Sequence, residues 1–303
     1  MFNRVFLFLL TNFLVMLAVG LLVHVLGLHE LVSQYGTNYV GLAIFCGLWG
    51  MVGAFISLAM SRWSAKRFMG VQLVEPTATD PTMQWLVSTV HRQAADAGLP
   101  AMPEVGVYPS DEVNAFATGP SKSRSLVAVS QGLLRRMSRE EAEGVLGHEV
   151  AHIANGDMVT MALLTGIVNA LVMFLARVIA FAIDNALRTG NSRGGGLGYF
   201  GYFIVVMVLQ SVLMIFGSMV IMSFSRWREY RADQGGAKLA GREKMIAALE
   251  ALKRTFDVED PEIAKVQKGV AAMKISSKGS RFARFFSSHP PLDSRLEALR
   301  KLA

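Results

Sequence analysis

Apolar positions along the chain gather into four long blocks separated by stretches of mixed character. Val5 to Leu28 is apolar for the length of a bilayer crossing, interrupted by Thr11, Asn12 and His24, and Val40 to Met60 follows after a short polar loop. The third block runs from Met158 to Ile183, broken by Asn169 and Arg177, and the fourth from about Leu197 to Phe224. A signal peptide has a shorter apolar region and a small-residue cleavage site, so the first block is expected to be a retained span. Arg177 is expected to snorkel or to pair with Asp184, seven residues on along the same face.

Between the second and third blocks the pattern is that of a soluble domain. Thr82 to Gly98 carries Met83, Leu86, Val87, Val90, Ala94 and Ala97 near helical spacing, with Gly98 as its stop. Short strands are expected at Glu104–Tyr108, Asn114–Gly119 and Ser125–Ser130. Ser138-Arg139-Glu140-Glu141 has the form of a capping box and predicts the start of a helix. Beyond the fourth block the chain is again soluble in character, with helical patterns over Arg242–Arg254 and Leu292–Leu302. The expected organisation is a two-span hairpin (1–61), a soluble domain in two halves (62–157 and 226–303), and a second hairpin (158–225) inserted between them.

Composition narrows this further. The chain is 52% hydrophobic and only 17% charged, which sets it apart from ordinary soluble proteins. Its net charge of +7 comes without the interleaved aromatic and basic residues of a nucleic-acid surface, and fits segments lying near anionic lipid headgroups. Arg62, Lys66 and Arg67 follow the second block, and Arg226, Arg228 and Arg231 follow the fourth, whereas the loop between the first two blocks has no Lys or Arg. The positive-inside rule therefore puts the N-terminus and both soluble halves in the cytoplasm. Cys46, the only cysteine, lies inside an apolar block, which excludes an intramolecular disulfide and a thiolate metal site.

The candidate chemistry lies in Gly147-His148-Glu149-Val150-Ala151-His152. On a helix, His148 and His152 sit one turn apart on one face and can offer their imidazoles to one metal ion, with Glu149 beside it as a proton acceptor for water. Catalytic zinc takes three protein ligands and a water, so a third ligand is needed. Glu229-Tyr230-Arg231-Ala232-Asp233 supplies two carboxylates four apart, Glu229 as that ligand and Asp233 to accept from the other ring nitrogen of a ligating histidine. The insertion between His152 and Glu229 must cross an even number of times to leave both on one side, and two apolar blocks do so. The motif helix leads directly into the third block, so the site is expected close to the membrane face.

H-E-V-A-H-I-A-N-G-D, E-Y-R-A-D after a two-block insertion, N-A-F-A-T-G upstream and S-H-P-P-L-D-S-R near the end together resemble the HtpX family over nearly the whole chain. Those proteins are bacterial membrane-embedded zinc endopeptidases related to the CAAX prenyl-protein endopeptidases. The resemblance implies one Zn²⁺ per chain on His148, His152 and Glu229, with Glu149 as catalytic base. It also implies action in the inner membrane on damaged or misassembled membrane proteins, from the cytoplasmic side. His289 and Arg295 match the family's late His-Pro and Arg positions, His289 as an oxyanion donor and Arg295 to order the carboxylates. Asn114, Ala115 and Phe116 fit an edge strand that pairs with extended substrate, the Asn114 amide holding a substrate carbonyl. The expected fold is thus a mainly α integral membrane protein, four spans carrying a zincin-like α+β domain with a short edge-strand sheet. Two rivals stay open: a prenyl-protein endopeptidase, against which the short chain and four spans argue, and a non-catalytic membrane scaffold, against which the complete ligand set argues. Oligomeric state is not legible.

Overall fold

Alternating and continuous apolar runs build a four-stranded sheet, and helical periodicity covers it. The computed structural model describes residues 39–189, 196–258 and 289–302. The expected first span, Val5–Leu28, lies outside them, as does most of the Gly194–Gly196 connector. Three helices among the described residues are long and apolar enough to cross a membrane: α1 (Tyr39–Phe68), α5 (Asp157–Thr189) and α6 (Gly198–Ala240). They coincide with the second, third and fourth apolar blocks. Helices α1 and α6 continue well past the apolar residues, because Lys, Arg, Glu and Ala sustain a helix as well as Leu does.

The other elements are β1 (Gln72–Leu73), α2 (Pro81–Asp96), β2 (Glu104–Tyr108), β3 (Ala115–Ser121), β4 (Arg124–Ser130), α3 (Gln131–Arg136), α4 (Arg139–Asn155), α7 (Arg242–Val258) and α8 (Leu292–Arg300). Strand β1 has no counterpart in the sequence reading, being only two residues long with both exposed. The sheet order is β1-β2-β4-β3, with β2 and β4 parallel and the outer pairs antiparallel. Strand β4 is buried from Ser125 to Ser130, as a central strand covered on both faces must be. Strand β3 forms one edge, and among the described residues it pairs only with β4. It starts one residue later than expected, at Ala115, and passes through Gly119 (φ 145°) in an irregular stretch of the ladder.

Two compact units result. In the first, which takes described residues up to Phe55 together with Leu163–Ile221, small residues let helices approach closely. A Cβ on Gly50 would lie 2.6 Å from the Ala170 backbone nitrogen. Here the expected Arg177–Asp184 pairing is corrected. Arg177 donates to the Met173 carbonyl of its own helix (3.0 Å), while Asp184 pairs with Arg188 one turn on (2.9 Å) and accepts from the Leu197 N–H at the start of α6 (2.7 Å).

The second unit takes Ile56–Ala162 and the described residues from Met222 onward. Its main core joins Val105, Val127 and Val129 of the sheet to Leu86 and Val90 of α2, Leu146, Val150 and Ile153 of α4, Leu249 of α7 and Leu296 of α8. The opposite sheet face, with Tyr108, Leu126 and Ala128, packs on Ala65 and Val71. Burying a side chain such as Leu146 or Leu249 fully contributes about 1.5–3 kcal/mol, which anchors α4 and α7 against the sheet.

Candidate metal centre

Helix α4 is started by the capping box: the Ser138 hydroxyl accepts from the Glu141 N–H (3.2 Å) while the Glu141 carboxylate accepts from the Ser138 N–H (2.8 Å). It ends at Gly156, whose left-handed φ of 73° lets its N–H close on the His152 and Ile153 carbonyls. The motif helix therefore does not run on into the apolar helix. It breaks at Gly156, and α5 starts afresh at Asp157. That break turns the Asp157 carboxylate back onto His152, whose Nδ1 donates to Oδ2 at 2.6 Å. Lys122, in the β3–β4 turn, donates to the exposed-end carbonyl of Ala154 (2.5 Å), complementing the helix C-terminus.

His148, His152 and Glu229 meet in the second unit, all buried. The two Nε2 atoms lie 3.1 Å apart. Glu229 Oε1 is 3.3 Å from His152 Nε2, and Glu229 Oε2 is 3.5 Å from His148 Nε2. A tetrahedral ion bound at about 2.0–2.2 Å holds its ligand atoms about 3.3–3.6 Å apart, close to these separations, and one ligand atom from each of the three residues lies within 4.8 Å of the others. The outer ring nitrogens support the same assignment. His148 Nδ1 is 2.9 Å from Asp233 Oδ1, and His152 Nδ1 bonds Asp157. A carboxylate on each Nδ1–H leaves both Nε2 lone pairs facing the common point. Among the described residues Glu229 Oε1 is buried without a hydrogen-bond donor, while Oε2 accepts from His289 Nδ1 at 2.6 Å. One carboxylate oxygen is thus held by the protein and the other left for a cation.

Arg295, from α8, is 1% exposed and grips Asp233 with two bonds, Nε to Oδ2 (2.8 Å) and Nη2 to Oδ1 (2.5 Å). Its Nη1 lies 3.6 Å from Glu229 Oε2. Arg228 stands between Asp157 (3.8 Å) and Glu229 (3.5 Å). Glu149 is 6% exposed, and its charge acts on both Tyr108 and Arg295. The carboxylates Glu149, Asp157, Glu229 and Asp233 face the guanidiniums Arg228 and Arg295, so with neutral imidazoles the cluster is doubly negative. A divalent cation would neutralise it. The same excess draws protons: burial lowers the His148 pKa, but hydrogen bonds with Asp233 and Glu229 outweigh burial and push it up to about 9. The Arg295 guanidinium, opposed by burial but set among Asp233, Glu229 and Glu149, is pushed further up and stays charged.

The structure thus brings together His148, Glu149, His152, Glu229, Asp233, His289 and Arg295. Asn114 precedes β3, and Ala115 and Phe116 begin it, Ala115 buried and Phe116 half-buried. Asp157 and Arg228 were missed. Asp157 is five residues after His152, off the shared helix face, and only the turn at Gly156 returns it; an acid just past a glycine stop was the available signal. Arg228 directly precedes Glu229, where it counted only toward the positive-inside pattern.

Fold and site together define an integral membrane metalloprotease. The sequence model for Peptidase family M48 matches residues 81–303, and the chain belongs to that family. Among its relatives is Protease HtpX of Shewanella pealeana, 50% identical over 298 residues that span 98% of this chain and 99% of the relative. Protease HtpX of Shewanella loihica is 49% identical over 298 residues, again 98% of this chain and 99% of the relative. Among solved structures, the crystal structure of S. mikatae Ste24p matches with a TM-score of 0.63 and 17% identity, over 96% of this chain and 66% of that one, a likeness of fold.

Proposed function

We propose that the chain is a zinc endopeptidase of the bacterial inner membrane that cleaves damaged or misassembled membrane proteins on the cytoplasmic side. What carries this reading is the triangle of His148, His152 and Glu229 ligand atoms, both histidines oriented by carboxylates, with Glu149 adjacent. The donor set of two imidazoles and a carboxylate suits zinc. Bound there, zinc would act as a Lewis acid on the scissile carbonyl and lower the pKa of the attacking water.

The protein's own groups do the rest. Glu149 takes the proton released as water attacks and passes it to the leaving amine. Asp157, Asp233 and His289 hold the three ligands in place, and Arg295 holds Asp233. His289 Nδ1 serves Glu229, so donation to the oxyanion falls to Nε2 of the same ring. The outer edge of β3, which among the described residues pairs on its other side only with β4, pairs from Ala115 and Phe116 onward with extended substrate backbone, and Asn114 holds a substrate carbonyl. Backbone pairing reads few side chains, as quality control requires. Substrates are membrane proteins because Asp157 opens one apolar helix and Glu229 follows the apolar stretch of another. The basic clusters after the apolar blocks support the cytoplasmic side.

The test is Glu149→Gln in the full-length protein. Zinc content by mass spectrometry should stay near one per chain while cleavage of an unfolded model substrate is lost. Wild-type cleavage by this variant would overturn the mechanism.

A further inference from the structure

A row of polar side chains crosses the end of the sheet beside the metal centre. Tyr108 ends β2 opposite Ser130, which ends β4. Ser130 in turn lies beside Asn114: its N–H donates to the Asn114 carbonyl (2.9 Å), and the Asn114 N–H donates to its hydroxyl (3.1 Å). The Ser130 hydroxyl also donates to the Glu112 carbonyl (2.6 Å) and accepts from the Leu133 N–H (3.0 Å), so its capacity is used.

The Tyr108 hydroxyl has no such partner. It is buried and makes no hydrogen bond among the described residues, although the ring itself is well packed, 5% exposed and 5.6 Å from the Phe116 ring centroid. A phenylalanine would fill the same place without stranding a hydroxyl. Buried polar groups without partners are few in native proteins, and each calls for a reason. Two side chains lie close enough to this hydroxyl to hydrogen-bond it, Asn114 and Ser130, although neither does so with full geometry, and two carboxylates, Glu112 and Glu149, act on it electrostatically. With Ser130 committed elsewhere, Asn114 is the partner left, and it is the residue assigned above to a substrate carbonyl. Burial pushes the phenol pKa up, so the hydroxyl remains a donor throughout the working pH range.

We propose that Tyr108 is a positioning residue for peptide substrate: its hydroxyl donates to the Asn114 side-chain carbonyl and turns the Asn114 amide N–H toward a substrate backbone carbonyl. The hydrogen bond closes when substrate lies along β3. This rests on the reading of Asn114 as a substrate contact and extends it one residue inward. Tyr108 acts through Asn114 and touches no reacting atom.

The experiment compares Tyr108→Phe, Asn114→Ala and the double variant in the full-length, zinc-loaded protein. Steady-state cleavage of an unstructured fluorogenic peptide and thermal unfolding are both measured. Tyr108→Phe should unfold at or above the wild-type temperature, since it removes an unsatisfied buried group. Its kcat/KM should fall about tenfold, the scale of one lost hydrogen bond to substrate, mainly through KM. Asn114→Ala should lose at least as much, and the double variant no more than Asn114→Ala alone, because the two act as one unit. Wild-type kcat/KM in Tyr108→Phe overturns the proposal, and so do losses that multiply in the double variant. A Tyr108→Phe loss explained by a lower unfolding temperature also overturns it, the hydroxyl then being structural. Wild-type activity in Asn114→Ala would refute the reading of Asn114 itself, whereas the Glu149→Gln test fails or succeeds independently of both.

Discussion

Gly236 offers a sharp test of how the metal centre is assembled. On α6, Glu229, Asp233 and Gly236 fall on one stripe at i, i+4 and i+7, the face turned toward α4. A Cβ built on Gly236 would lie 2.9 Å from the His148 backbone nitrogen and 3.2 Å from its Cα. Ordinary contact begins near ~3.5 Å, so Gly236→Ala forces the two helices apart by about half an ångström at the level of a ligand. Met245, whose sulfur is also 2.9 Å from that Cβ, can swing aside; the His148 backbone cannot. Metal sites tolerate about 0.2 Å in ligand distance, so Glu229 and the two Nε2 atoms no longer close on one ion. The expected loss of zinc affinity is about 10–100-fold, the range found when groups orienting metal ligands are removed.

Stability discriminates independently. In a helix with room for a methyl group, Gly→Ala would stabilise by about 1 kcal/mol, whereas overpacking costs about 1–3 kcal/mol. The net sign should therefore be destabilising. Chelator competition and thermal unfolding on purified full-length protein measure both effects. Gly53→Ala, where nothing lies within 4 Å of the added carbon, is the matched control and should leave zinc affinity unchanged. Wild-type zinc affinity together with a raised unfolding temperature in Gly236→Ala would show that this contact does not set the helix approach.

Two further outcomes are expected. Asp157→Asn keeps the side-chain shape but removes the charge that fixes His152 with Nδ1 protonated, so zinc affinity by chelator competition should fall about 10–100-fold while far-ultraviolet circular dichroism is unchanged. Burial works to raise the Glu141 pKa, but hydrogen bonds from the Ser138 N–H and Arg254 hold it below its ordinary 4.5. Its folded pKa being the lower one, Glu141 contributes stability that is fully present above that ordinary value and lost as pH falls through the depressed one. Glu141→Gln should thus unfold at a lower temperature than wild type at pH 7, with the gap closing on acidification below about pH 4.5; a gap independent of pH would refute the assignment.

The metal centre draws on chain segments with different tasks. Helix α4 carries His148, Glu149 and His152 at fixed spacing, α6 carries Glu229 and Asp233, and α8 carries Arg295, whose two bonds keep Asp233 ionised against His148. Removing one member of such a buried charge network leaves another uncompensated, which costs far more than the pair contributes on its own.

What the sequence determined by itself is what backbone geometry dictates locally. The one-turn spacing of His148 and His152 follows from the 3.6-residue period, the capping box at Ser138 from a local motif, and the central strand and the three described apolar helices from continuous apolar runs of matching length. Glu229 and Asp233 were legible as a pair through the same 3.6-residue period. Tertiary structure alone decided which partners these groups meet. Arg295 reaches Asp233 across 62 positions, His289 reaches Glu229 across 60, and Asp157 returns to His152 only because Gly156 can adopt a left-handed turn. The break at Gly156, the close approach at Gly236 and the stranded Tyr108 hydroxyl have no periodic signature. They arise where separately predictable elements are packed together, and excluded volume and hydrogen-bond satisfaction act between those elements rather than along any one of them.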